Sequence, residues 1–151
     1  MPEAITLQDA FTRIVKHFDQ MQEPAAESGD DGNCFYRTPE HLPSNRCFIG
    51  ALIPDDVYSD AFEMRGITTL LSEHTRKLFS DDVQKHFLQL LELFRDIDVA
   101  TLSSLQRIHD QWPMAGHNKA TVREALFNFG VAHGLAWPAD VAVTTEQDDF
   151  K

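Results

Sequence analysis

The chain has 151 residues, with 24 acidic residues against 13 Lys plus Arg and a formal net charge of −11. A pI near 4.9 argues against a basic nucleic-acid-binding surface, because phosphate contacts need clustered Lys and Arg. No apolar run approaches the ~18 residues of a membrane span, and a hydrophobic content of 42% with eleven Phe argues against global disorder.

The first predicted element is a helix over about Leu7 to Met21. Leu7, Ala10, Phe11, Ile14, Val15, Phe18 and Met21 form one apolar stripe at helical spacing. Thr6 is its candidate N-cap, Asp9 completes a capping-box-like start, and Pro24 ends it. The stretch to Asn33 is rich in Gly, Ala and acid and reads as a loop. CFYR (34–37) and RCFIG (46–50) are short, aromatic and β-branched, and they flank TPEHLPSN. They are expected to pair as two strands of a hairpin. Pro54 then turns the chain, a short helical turn is expected over Asp60 to Met64, and Gly66 breaks it.

The remainder is predicted to be helical. Ile67, Leu70, Leu71, His74 and Leu78 place helix two over about Thr68 to Phe79. Helix three runs over about Asp82 to Arg95, with Asp81 and Gln84 as a capping box. Leu88 and Leu93 lie off its main stripe, which makes it the expected central helix. Helix four spans about Leu102 to Gln111, capped by Thr101 and stopped by Trp112–Pro113. Helix five starts near Asn118, with Gly134 as its C′ residue and Leu135 making the accompanying contact. The expected fold class is mainly α: about five helices packed in one domain over residues 1–139, with a two-stranded β-hairpin at 34–50 after helix one. Residues 140–151 are expected to be an acidic flexible tail.

The charge is local. Glu23, Glu27, Asp30 and Asp31 lie in 22–33; Asp55, Asp56, Asp60 and Glu63 lie in 55–63; four acids oppose one Lys in 140–151. These segments hold the whole net charge, and the remaining acids and bases balance. Acid is therefore a property of loops rather than of helix faces.

His74, His109 and His133 fall on apolar stripes, and each is also explained as a core or helix-end residue. Gathered together, they would be metal-ligand candidates. His109–Asp110 matches the paired ligands of metal-dependent hydrolases, which need further His and Asp on other helices. Cys34, His41 and Cys47 lie around the expected hairpin without the tight Cys pair that a structural zinc site uses. Arg37, Arg46, Asp55 and Asp56 mark a polar edge, with Tyr36 and Tyr58 beside it. No Gly-rich phosphate loop, G-x-S-x-G elbow or H-E-x-x-H motif occurs.

Tyr36–Arg37, then Cys47, Gly50, Leu52, Ile53, Pro54, Asp55 and Tyr58, then Glu63 and Gly66, form a pattern that resembles a family of small phage- and prophage-associated proteins. Leu-Gln-x-x-His-Asp at 105–110 resembles the same family. The resemblance covers about residues 34–66 plus that helix segment, and it implies no reaction or catalytic residue.

The expectation is a non-enzymatic accessory or protein-interaction protein, of phage origin by that resemblance. Its contact surface would include Tyr36, Arg37, Asp55, Asp56 and Tyr58. The alternatives are a metal-dependent hydrolase using His109 and Asp110, and an acidic nucleic-acid mimic. No cofactor, direct nucleic-acid contact or membrane contact is expected; the partner is an unspecified protein, and self-association stays open. MPEAITLQDAF has no basic segment before an apolar stretch, so no signal peptide is expected. With only two Cys, a cytoplasmic location follows as an expectation.

Overall fold

The computed structural model describes residues 2–22, 24, 36–37, 46–63 and 65–143. Six α-helices lie among them: α1 (Leu7–Gln20), α2 (Ile67–Leu70), α3 (Glu73–Arg76), α4 (Asp81–Leu93), α5 (Val99–Gln111) and α6 (Lys119–Ala132). Short 3-10 turns occupy Gly50–Leu52 and Asp60–Phe62.

The main class is α, as the periodicity predicts, but the hairpin is absent: no strand occurs among the described residues. The parts of the two expected strands that are described make other hydrogen bonds. The Tyr36 and Arg37 N–H groups donate to the Glu63 carboxylate at 3.0 and 3.1 Å. On the other side, Ala51 N–H donates to Cys47 O, and Gly50 N–H donates to Cys47 Sγ. Ile49 N–H donates to Gln106 Oε1 on α5. Donors that a β-ladder would use are satisfied by side chains and by a tight turn.

α1 follows its stripe, burying Ala10, Phe11, Ile14, Val15 and Phe18, and Thr6 Oγ1 accepts Asp9 N–H as its N-cap. Its C-terminal carbonyls are closed from α6. Lys119 Nζ donates to Asp19 O and Met21 O, and Arg123 lies 3.7 Å from the Asp19 carboxylate. Cations at a helix C-terminus oppose the negative end of its dipole.

The expected second helix is two single turns. Ser72 Oγ accepts Thr75 N–H and donates to Thr69 O, while Thr75 Oγ1 donates to Thr69 O at 2.6 Å. Ser and Thr hydroxyls thus replace the continuing helical ladder with a cap. The break alters the phase of the stripe, so Leu70 and Thr75 are buried while His74 and Leu78 are exposed.

α4 starts one residue earlier than expected, capped by Ser80 rather than Asp81. It buries Phe87, Leu90 and Leu93 but leaves Leu88 exposed, so it is not the central helix. That position belongs to α5, which packs against both α2 and α6. α5 starts at Val99, with Asp98 rather than Thr101 at its N-cap.

α6 ends as expected. Asn118 and Thr121 form a reciprocal capping box. Gly134 has φ +66°, Gly134 N–H donates to Val131 O, and Leu135 N–H donates to Gly130 O at 2.8 Å. This is the Schellman pattern, which requires a left-handed residue at C′.

The chain then returns across α1. Gln8 and Ala136 exchange two hydrogen bonds of 3.0 and 2.8 Å. Trp137 Nε1–H donates to Val141 O, and Val141 is buried. The packed body therefore extends past residue 139 to Val141. The core is aromatic: Phe11, Phe18, Phe48, Phe62 and Phe87 are almost fully buried.

Candidate functional site: the pinned turn at Pro54–Glu63

Residues 54–63 form a turn whose backbone closes on itself. Pro54 O accepts both Val57 N–H and Tyr58 N–H at 3.0 Å, and Val57 and Phe62 anchor the turn in the core. Asp55, Asp56 and Asp60 are left exposed.

Glu63 fixes this turn to the segment at 36–37. Its carboxylate accepts three donors: Tyr36 N–H, Arg37 N–H and the Tyr58 hydroxyl at 2.5 Å. Hydrogen bonds to an ionised acceptor are short and strong. Burial raises the Tyr58 phenol above its usual range, and its bond to the Glu63 carboxylate adds to this.

Arg37 completes the frame. Its guanidinium stacks over the Tyr58 ring at 4.3 Å, donates to Ile53 O, and lies 2.7 Å from Asp55 Oδ1. Arg46 approaches the same Asp55 oxygen at 3.5 Å. The Asp55 side chain is 83% exposed, so these ion pairs orient more than they stabilise.

Four of the five predicted contact residues therefore converge, but with different roles. Tyr36 is buried, with its hydroxyl donating to Arg65 O at 2.6 Å. Burial raises its phenol pKa. Tyr36 thus serves inside the frame. Arg37 and Tyr58 are half-buried supports, whereas Asp55 and Asp56 are on the outer surface.

His109 and Asp110 lie elsewhere, on α5. His109 is fully buried, between Phe48 and Trp112. Its Nδ1 lies 3.3 Å from Asp110 Oδ1, which also accepts Gln106 Nε2–H at 2.9 Å. Gln106 in turn holds the turn at Ile49. Cys47 lies in the same region, buried as a free thiol. Burial pushes that thiol up to about 12, opposite to what a nucleophile requires.

The three stripe histidines are not brought together. His74 is exposed on α3, His109 is buried on α5, and His133 is exposed at the end of α6, stacked on Phe129. Among the described residues, no group of three or more His, Cys, Asp or Glu is arranged to hold a metal. Cys34 and His41, and most of the acidic segments 22–33 and 140–151, lie outside the described residues.

Sequence reasoning counted Glu63 only as an acid and a pattern match. No local sequence signal marks it as a support, because its backbone donors at Tyr36 and Arg37 lie 27 and 26 residues away. Gln106 and Arg123 were also missed. Arg123 is 3% exposed and falls beside Val122 and Leu126 on the inner face of α6, so helical phase alone identifies it.

No helix among the described residues is long and apolar enough to cross a membrane. No protein-family model, curated protein or solved structure matches the chain.

Proposed function

We propose that the chain is a non-enzymatic accessory protein that recognises a basic surface on a protein partner through the outer edge of the 54–63 turn. The supporting observation is the Glu63 anchorage. One carboxylate holds two backbone donors and a tyrosine hydroxyl, so Asp55, Asp56 and Asp60 stand on a pre-formed rather than a floppy turn. A pre-ordered surface loses less conformational entropy on binding. Asp55 is already paired with Arg37 and Arg46, which makes Asp56 and Asp60 the principal charges offered outward. Phage association and a cytoplasmic location belong to the same proposal. They rest on the residue pattern at 36–66 and 105–110, and on an acidic chain with two Cys.

Affinity capture with the wild type and with Asp56→Ala/Asp60→Ala, read by quantitative mass spectrometry, tests the proposal. A partner retained by the wild type, weakened by the double variant and released by added salt is expected. Retention that is indifferent to both the substitutions and salt would remove this edge from the interface.

A further inference from the structure

A second feature stands apart from the acidic turn. Between α2 and α5 lies a cleft of about 170 Å³. At roughly 30 Å³ per water it has room for about six waters, the bulk of a small metabolite and below the ~300 Å³ at which drug-sized pockets begin. Thr68 and Thr69 line one wall, and Ser103, Gln106, Arg107 and Asp110 line the other.

The α5 wall carries opposite charges in an ordered setting. Arg107 and Asp110 are three residues apart, which places their side chains on one helix face with Cβ atoms roughly 5–6 Å apart. Asp110 is not a loose surface acid. Its Oδ1 accepts Gln106 Nε2–H at 2.9 Å and faces His109 Nδ1 at 3.3 Å. Gln106 is only 8% exposed and is itself fixed by Ile49 N–H. Two buried side chains thus hold the carboxylate of a residue that lines the cleft. Arg107 is exposed and, among the described residues, enters no ion pair.

A simple anion would meet Asp110, and a simple cation would meet Arg107. A ligand with both signs a few ångströms apart satisfies the two residues together, and hydroxyl-bearing Thr68, Thr69 and Ser103 suit a polar substituent. We propose that this cleft binds a small polar α-amino acid as its zwitterion, with the carboxylate on Arg107 and the ammonium on Asp110. The site is independent of the acidic turn, so either proposal can fail without the other.

The test is a titration of the full chain, followed by amide chemical shifts, with L-serine, acetate, ethanolamine and L-lactate as separate probes. L-serine is expected to perturb residues 66–69 and 103–110 and to bind at least tenfold more tightly than the three others. Arg107→Met and Asp110→Asn are each expected to weaken L-serine binding at least tenfold. Arg107 is exposed, so its variant remains informative if Asp110→Asn disturbs α5. No perturbation by L-serine, equal binding of any single-function probe, or indifference to Arg107→Met would overturn the proposal.

Discussion

A Cβ placed on Gly50 would lie 2.1 Å from the carbonyl oxygen of Tyr36. The 3-10 turn and the 36–37 segment are thus in backbone-to-backbone contact, and only a residue without a side chain permits it. Gly50→Ala must push Tyr36 away, which pulls its N–H from Glu63. A loss of about 1–3 kcal/mol in unfolding free energy by urea titration is expected. A loss below about 0.5 kcal/mol would show that 36–37 is not held against the turn.

Glu63→Ala removes the acceptor of two backbone donors and one hydroxyl. Leaving part-buried donors without a partner costs about 1–3 kcal/mol. Glu63→Gln keeps the shape but turns an amide NH₂ toward a donor, so it should recover only part of that loss. Because Glu63 and Gly50 secure the same segment, the double variant Gly50→Ala/Glu63→Ala should lose less than the sum of the singles. Strict additivity in the denaturation series would separate the two contacts.

Gln106 joins the turn to α5 by accepting Ile49 N–H and donating to Asp110. Gln106→Leu is nearly isosteric but strands a buried N–H. A destabilisation of about 1–3 kcal/mol is expected, with slower loss of α6 protection than of Ile49 protection in amide hydrogen exchange. Unchanged exchange at Ile49 would sink the assignment.

His17 is the residue through which acid should act. Burial lowers its pKa from the usual 6.5 by more than the 2.7 Å hydrogen bond between its Nε2 and Arg46 O raises it, and the neighbouring Arg46 and His109 lower it a little further. The folded chain therefore favours neutral His17, and the unfolded chain binds the proton more readily. The stabilisation is complete above about pH 6.5 and is lost as pH falls below it. His17→Gln should flatten the decline in thermal midpoint between pH 7 and about pH 5. An identical decline in both proteins would reassign it to other groups.

Cys47 should be chemically silent in the folded protein. Its thiol is buried and pushed up to about 12. In a Cys34→Ser background, native alkylation at pH 8 should be at least a hundredfold slower than in denaturant, because the thiolate is scarce and shielded. Rapid native labelling would mean that the turn at 47–50 opens readily.

Long amphipathic segments were legible in the sequence because one face decides them. The stripe of α1, the Asn118 cap and the Gly134 terminus of α6 all follow from local rules. The region around the candidate site was not, because non-local groups decide its structure. CFYR and RCFIG have strand composition, yet Glu63 takes two donors from the first and Gln106 takes one from the second. Those partners are separated by 26 to 57 residues, beyond the range of any period or turn rule. The split at Leu71–Ser72 arose differently: hydroxyl caps at Ser72 and Thr75 overrode a passable helical stripe. Tyr36, Arg37, Asp55 and Tyr58 could be selected as neighbours from their pattern, but which of them face inward depended on packing.

The return of the chain over α1 also sets an order of events during synthesis. Gln8 leaves the ribosome 128 residues before Ala136, its hydrogen-bond partner. At about 5–20 residues per second that interval is about 6–26 seconds. A 14-residue helix is marginal alone, and Phe11 meets Phe129, Gly130 and Trp137 only when α6 and the segment after it arrive. Until then Phe11 lacks these partners, although Ile5 N–H, just ahead of the helix, can already donate to Leu93 O. A nascent chain stalled before Lys119 would therefore keep the Phe18 partners Phe48 and Trp112 but lack the three partners of Phe11.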